Sequence, residues 1–191
     1  YYNQQNYPLA RQRLSQIAEK FPQEGDVIAA AQYLIAQSYE KEGKWDRAVN
    51  EFEWIVANHP TSLEALEVPL HIAKFYEKQG KNTLADSYYR RAVDQYQKLI
   101  EKYPQTPMAQ IAQRYLARCY SAQEEWGKTS EALRTLIEKY PPSIQTFKAG
   151  LLLAQIYEEK LKDNQKSKEV YSKLMTLFPN SPLSDSIQER M

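Results

Sequence analysis

Residues 30–60 read AAQYLIAQSYEKEGKWDRAVNEFEWIVANHP, and this stretch decides the fold. Ala36 and Tyr39 stand three apart, Glu42-Gly43-Lys44 interrupts, and Ala48, Phe52 and Ile55 then recur at spacings of four and three before His59-Pro60. Spacings of three and four put side chains on one face of an α-helix. Proline ends the second helix, because it has no N–H and disfavours helical geometry in the residue before it. The stretch predicts a helix A, a tight turn, a helix B and a stop.

The same pattern recurs on both sides. Phe21-Pro22, Tyr103-Pro104, Tyr140-Pro141 and Phe178-Pro179 match His59-Pro60, where histidine takes the aromatic slot. Twelve, eight and five residues before each proline stand one small and two large side chains. Besides Ala48/Phe52/Ile55, these are Ala10/Leu14/Ile17, Ala92/Tyr96/Leu99, Thr129/Leu133/Leu136 and Ser167/Tyr171/Leu174. Helix A repeats its small-x-x-Tyr pair as Ala73/Tyr76, Ala117/Tyr120 and Ala154/Tyr157. Breaks follow at Gln79-Gly80-Lys81, Gln123-Glu124-Glu125 and Lys162-Asp163-Asn164. The chain is an array of one supersecondary unit, in which each copy stabilises mainly its neighbours.

The residues of this unit resemble the tetratricopeptide repeat (TPR) family. The family's small-x-x-Tyr of helix A and Ala-x-x-x-Phe-x-x-Ala…Pro of helix B fall on Ala36, Tyr39, Ala48, Phe52, Ile55 and Pro60, with Gly43 and Trp45 at the turn glycine and the aromatic after it. The resemblance implies an all-α fold, an α-solenoid of antiparallel helix pairs in a right-handed superhelix of about ten helices. Residues 1–22 are then a lone helix B, residues 23–60, 61–104, 105–141 and 142–179 are repeats, and residues 180–191 begin a further helix A. With both ends cut mid-repeat, the chain is expected to be a piece of a longer protein.

Two departures from the family standard of about 34 residues are informative. The proline-to-proline intervals are 38, 44, 37 and 38 residues. A polar residue two after the proline (Ser62, Thr106, Ser143 and Ser181) is placed to cap the next helix A, and Pro107 and Pro182 stand where a first-turn N–H is dispensable. This aromatic-Pro-x-Ser/Thr form is similar to the long repeats of bacterial cell-envelope proteins, such as the outer-membrane assembly lipoprotein BamD and the periplasmic coordinator of the Tol–Pal system. That resemblance implies a periplasmic or outer-membrane setting. The 44-residue interval arises where Ala85/Tyr89/Ala92 and Ala92/Tyr96/Leu99 repeat the pattern seven residues apart. It predicts a helix B two turns longer than the rest, roughly 10 Å, which either packs on its neighbour or offers residues 95–102 as a docking knob. Pro69 and Gly150 share one position in two A helices and predict curvature there, or a hinge.

Of its 191 residues, 25 are Lys or Arg and 24 are Asp or Glu, for a net charge of +1. This balance gives no electrostatic footprint for nucleic acid, and no apolar run approaches the roughly 20 residues of a membrane helix. A catalytic site needs converging nucleophile, base or metal ligands. The two histidines, His59 and His71, and the single Cys119 fall at no metal-binding spacing, and no Gly-rich phosphate loop or Ser-centred elbow is present. The expectation is a non-catalytic, cofactor-free and metal-free scaffold that binds a protein or peptide segment. The alternatives are self-association through open repeat ends and an accessory domain of a larger protein. By resemblance, helix A lines the concave groove, which assigns recognition to Tyr33, Gln37, Leu70, Lys74, Ile111, Arg114, Arg118, Leu151 and Gln155. The Lys, Asn and Arg of the family's chaperone-binding clamp are replaced by Tyr33, Gln37, His71, Ile111 and Tyr115, so that function is not implied.

Overall fold

A computed structural model describes residues 6–179 and 187–188 of the chain. Among them are nine α-helices and no strand. The A helices are α2 (Gly25–Lys41), α4 (Leu63–Lys78), α6 (Pro107–Ala122) and α8 (Ile144–Glu159). The B helices are α1 (Tyr7–Lys20), α3 (Trp45–Asn58), α5 (Asn82–Lys102), α7 (Trp126–Lys139) and α9 (Asn164–Leu177). The fold class is the one the repeat predicts. The chain divides into two compact units, residues 1–91 and 92–191, with the boundary inside α5.

Local chemistry sets the helix ends. α1, α3, α7 and α9 each stop at the residue before the aromatic-Pro pair, so Phe21, His59, Tyr140 and Phe178 are their C-caps. Ser62, Thr106 and Ser143 cap α4, α6 and α8 by accepting from the N–H groups of Ala65, Ala109 and Thr146, which satisfies donors that a helix start leaves unpaired. Ser181 and Pro182 lie outside the described residues. In the A–B turns the backbone enters the left-handed region at Gly43 (φ 73°), Gly80 (φ 70°), Glu124 (φ 57°) and Lys162 (φ 55°). The carbonyls of Tyr39, Tyr76 and Tyr120 each accept, at 2.9 Å, from the N–H five residues on, and Tyr157 accepts from Asp163, six residues on, at 2.8 Å. The repeat tyrosine therefore closes its own turn through its backbone.

In the first unit α2 packs against α1, α3 and α4. Its core joins Ala29, Ala36, Ala48, Phe52, Ile55, Ala65, Val68 and Ile72, with Tyr39, Trp45 and Tyr76 against it. The small residues let the helices approach, and the large ones fill the space between them. α1 contributes only Ala10 as a buried residue, and Ile17, expected on its apolar face, is 41% exposed. Among the described residues α2 is the only helix that α1 packs on, so the outer part of the Leu14–Ile17 stripe has nothing to bury it.

The second unit holds two clusters. One gathers Ala117, Leu133, Leu136, Ile137, Tyr140, Leu153, Ile156 and Tyr157; the other gathers Phe147, Ala154, Tyr171, Leu174 and Ile187. α5 is 21 residues long where the other B helices have 14, the seven-residue surplus read from the sequence. Ala85 and Tyr89 are buried, and so are Ala92, Tyr96 and Leu99 one heptad on. Residues 95–102 pack along one face, where Tyr96 meets Tyr115 at a ring distance of 5.7 Å and Ile100 lies on the larger cluster, while Gln97, Lys98, Glu101 and Lys102 are exposed.

Pro69 and Gly150 meet different surroundings at their shared repeat position. α4 continues as helix through the buried Pro69. Gly150 is a packing residue, since a Cβ there would stand 2.9 Å from Leu174 Cγ and closer still to its Cδ2. At that one position α8 needs hydrogen in place of a side chain to seat α9.

Candidate protein-binding faces

The A-helix surface of the first unit is built by α2 and α4, which touch each other directly. Tyr33, Gln37 and Lys74 are half-buried on it. The Tyr33 ring tilts against Phe52, with centroids 5.3 Å apart. Leu70 departs from expectation: it is 2% exposed, an interior residue with no surface to offer. Beside it His71 Nε2 lies 2.9 Å from Glu40 Oε2 and links α4 to α2. The His71 ring is held between Phe52 (5.2 Å) and Trp45 (6.2 Å), and Trp45 stacks on Phe75. The histidine is thus a structural tie with one face toward solvent.

In the second unit Ile111 and Arg114 are half-buried, and Arg118 is exposed. Arg114 Nη1 donates to Gln145 Oε1 across to α8 at 3.0 Å, which holds the guanidinium in place without neutralising it. The Arg118 guanidinium lies 5.1 Å from the centre of the Tyr115 ring, a cation–π contact that orders it at a modest energetic gain. Gln155 is exposed and donates to Glu159 at 2.9 Å. Leu151 turns inward onto the cluster of Phe147, Tyr171 and Leu174. The second unit thus presents two guanidinium groups on one helix that form no ion pair among the described residues, beside apolar side chains.

The residues missed from the sequence lie one position further on. Leu34 and Leu152 are 40% and 43% exposed, both five residues before a repeat tyrosine, and His71 and Tyr115 share that register. The family-based assignment used the register six before the tyrosine. One residue is about 100° around a helix, enough to turn Leu70 and Leu151 into the interior and Leu34 and Leu152 out of it. The signal was present in the sequence as the i, i+4, i+7 progression Ala30, Leu34, Gln37 from one end of helix A. Among the described residues no group of His, Cys, Asp or Glu is arranged to hold a metal ion, and Cys119 is buried. No described helix is long and apolar enough to cross a membrane.

Tandem helix pairs, closed by a small-x-x-Tyr turn and stopped by aromatic-Pro, define a repeat protein built for surface rather than for an enclosed site. Comparison with known families agrees. A family model described as tetratricopeptide repeat matches residues 30–62 and 148–181, and a second of the same description matches residues 76–144, together well over half of the chain. The chain belongs to the tetratricopeptide repeat family. It is 27% identical over 184 residues to the aspartyl/asparaginyl beta-hydroxylase of Mus musculus, a match over 93% of this chain that spans only 22% of that protein. Among solved structures it is similar to a thermophilic TPR protein of Thermus thermophilus (TM-score 0.56, 16% identity, covering 99% of this chain and 92% of that one). It is also similar to BtubC from P. vanneervenii (TM-score 0.57, 18% identity, covering 90% and 71%). At these identities the structural likenesses speak to the fold alone.

Proposed function

We propose that this chain is a non-catalytic interaction module that holds a segment of a partner protein against its A-helix faces. The observation that carries the reading is the pairing on α6 of Arg114 and Arg118, ordered by Gln145 and Tyr115 and matched to no carboxylate in the described ion pairs. An ordered guanidinium is pre-organised to donate to carboxylates and backbone carbonyls. The exposed Leu152 on α8 of the same unit supplies apolar contact. The recognised segment is therefore acidic or carbonyl-rich and carries apolar side chains. The test is partner binding by the Arg114→Glu/Arg118→Glu double variant. The reading expects at least a tenfold loss with the helical circular dichroism retained, and unchanged affinity would contradict it.

A second reading, an accessory repeat region of a larger protein, is favoured by the mouse hydroxylase, of which the matching part is about a fifth. A bacterial-envelope setting rests on the repeat intervals of 37 and 38 residues and on the capping residue two after each proline. Cell fractionation decides it, with recovery in the periplasmic or outer-membrane fraction expected.

A further inference from the structure

The solvent-facing stripe of α8 is bipolar. Gln145, Lys148, Leu152, Gln155 and Glu159 are exposed and recur at spacings of three and four, which lines them up on one face. α8 carries no acidic residue before Glu158, and the neighbouring α6 carries none at all. The charged groups toward the start of this surface are therefore cations: Lys148, and the Arg114 guanidinium that Gln145 holds at 3.0 Å. The far end holds a carboxylate. Glu159 closes the last turn of α8, which contains no basic residue, at the negative end of the helix dipole, where an anion is unfavourable. Its hydrogen-bond partner is the neutral amide of Gln155, at 2.9 Å. The next cation along the chain, Lys160, lies over the Trp126 ring, 4.9 Å from its centre. Arg114, Lys148 and Glu159 form no ion pair among the described residues.

A carboxylate that weakens the end of its own helix is relieved by a cation from outside, just as the Arg114 and Lys148 end is relieved by an anion. Gln145 and Glu159 stand fourteen residues apart, about 21 Å along the helix, and an extended chain spans that in about six residues. Leu152, halfway between them, is 43% exposed and offers apolar contact. We infer that the A-helix surface of the second unit selects a bipolar segment of a partner protein, extended along α8. The segment places an aspartate or glutamate at Arg114 and Lys148 and an aliphatic side chain on Leu152. A lysine or arginine about six residues from the acid meets Glu159. This inference rests on the A-helix reading above and adds to it Glu159 as the residue that selects a basic side chain.

The probe is the blocked nonapeptide Gly-Asp-Ser-Leu-Ser-Ser-Ser-Lys-Gly, titrated into the ¹⁵N-labelled chain and followed by amide chemical shifts. Shifts are expected at Lys148, Leu152 and Glu159. Replacing the peptide's Lys by Gln is expected to weaken binding about two- to fivefold on the parent chain, the range of an exposed ion pair, and to change nothing on Glu159→Gln. Replacing its Asp by Asn should weaken binding to both chains alike. Glu159→Gln keeps an acceptor for Gln155 and removes a charge opposed to the helix dipole, so its melting temperature should equal or exceed that of the parent. Absence of shifts on α6 and α8, indifference to the Asn peptide, or an equal loss from the Gln peptide on both chains would overturn the inference. So would a Glu159→Gln chain that melts below the parent, since that marks the carboxylate as structural. If the Gln peptide loses equally on both chains, shifts that vanish in Arg114→Glu/Arg118→Glu leave the A-helix reading standing. Shifts that persist in that variant remove the A-helix reading as well.

Discussion

At the scale of single residues, the most consequential atom is one that is missing. Gly150 sits mid-helix, where glycine costs roughly 1 kcal/mol relative to alanine, yet Leu174 fills the space a Cβ would need. Leu174 is fully buried, so it cannot make room by swinging into solvent. Overpacking a core costs about 1–3 kcal/mol, which exceeds the propensity gain. Gly150→Ala is expected to destabilise the chain by about 1–2 kcal/mol in urea denaturation. In a Leu174→Ala background the same change should become neutral or stabilising. Equal effects in both backgrounds would show that the two side chains are not coupled. The glycine was visible in the sequence, but its reason was not, because Leu174 stands 24 positions away in a different helix. Tyr88 offers a second test. Its hydroxyl donates to Glu53 at 2.9 Å, and burial first, then that carboxylate, push its pKa up to about 12 from an ordinary 10.0. A raised pKa means that folding favours the protonated phenol. The contribution is whole below pH 10 and is lost as pH rises toward 12. Thermal melts of Tyr88→Phe against the parent chain should show the variant losing less stability across that window.

At the scale of elements, helix ends are legible wherever side-chain chemistry sets them locally. Ser62, Thr106 and Ser143 all cap as their position two after the proline predicts. Ser143 goes further, since Thr146 reciprocates to its backbone N–H at 2.7 Å in a capping box. Ser143→Ala should cost about 1 kcal/mol, read as a lower melting temperature. The left-handed turn residues were half legible. Gly43 and Gly80 declare themselves, but Glu124 and Lys162 take the same conformation with side chains that do not advertise it. A Cβ in that region is strained, and glycine relieves the strain while giving back some unfolded-chain entropy. Glu124→Gly and Lys162→Gly are each expected to raise stability by up to about 1 kcal/mol, whereas Gly80→Ala should lower it. A drop in melting temperature for both glycine variants would contradict this account of the turns. The extra heptad of α5 was legible to the residue, because Ala85/Tyr89 and Ala92/Tyr96 keep one phase across seven positions. Its consequence was less legible, because the packing of Tyr96 and Ile100 depends on Tyr115 of α6 and on the larger cluster.

At the scale of the molecule, the repeat accounts for the fold, and what departs from it accounts for the proposed surfaces. Tyr39, Tyr76, Tyr120 and Tyr157 are packing and punctuation. The groups proposed to meet a partner are Leu34 on the A helices of the first unit and Arg114, Arg118 and Leu152 on those of the second. Leu34 and Leu152 were missed because a family register, rather than the helical progression of these particular residues, set the phase. Leu70 and Leu151 show the cost of that choice, one buried and the other turned onto a cluster. The overall balance of 25 basic against 24 acidic residues hides the local basic character of α6, which is legible in the sequence as Arg114 and Arg118 four apart with no acidic residue between Pro107 and Ala122. The central claim is that the A-helix faces are where a partner segment lies. Photo-crosslinking tests it most directly. A benzophenone amino acid is placed singly at Leu34, Arg118 or Leu152, and as controls at the exposed B-helix positions Asn50 and Arg90, and each variant is irradiated in cells of the source organism. The account predicts a discrete crosslinked protein species from the A-helix positions, absent from the controls and reduced by competition with the unlabelled chain. Crosslinks from Asn50 and Arg90 with none from Leu34, Arg118 and Leu152 would contradict it.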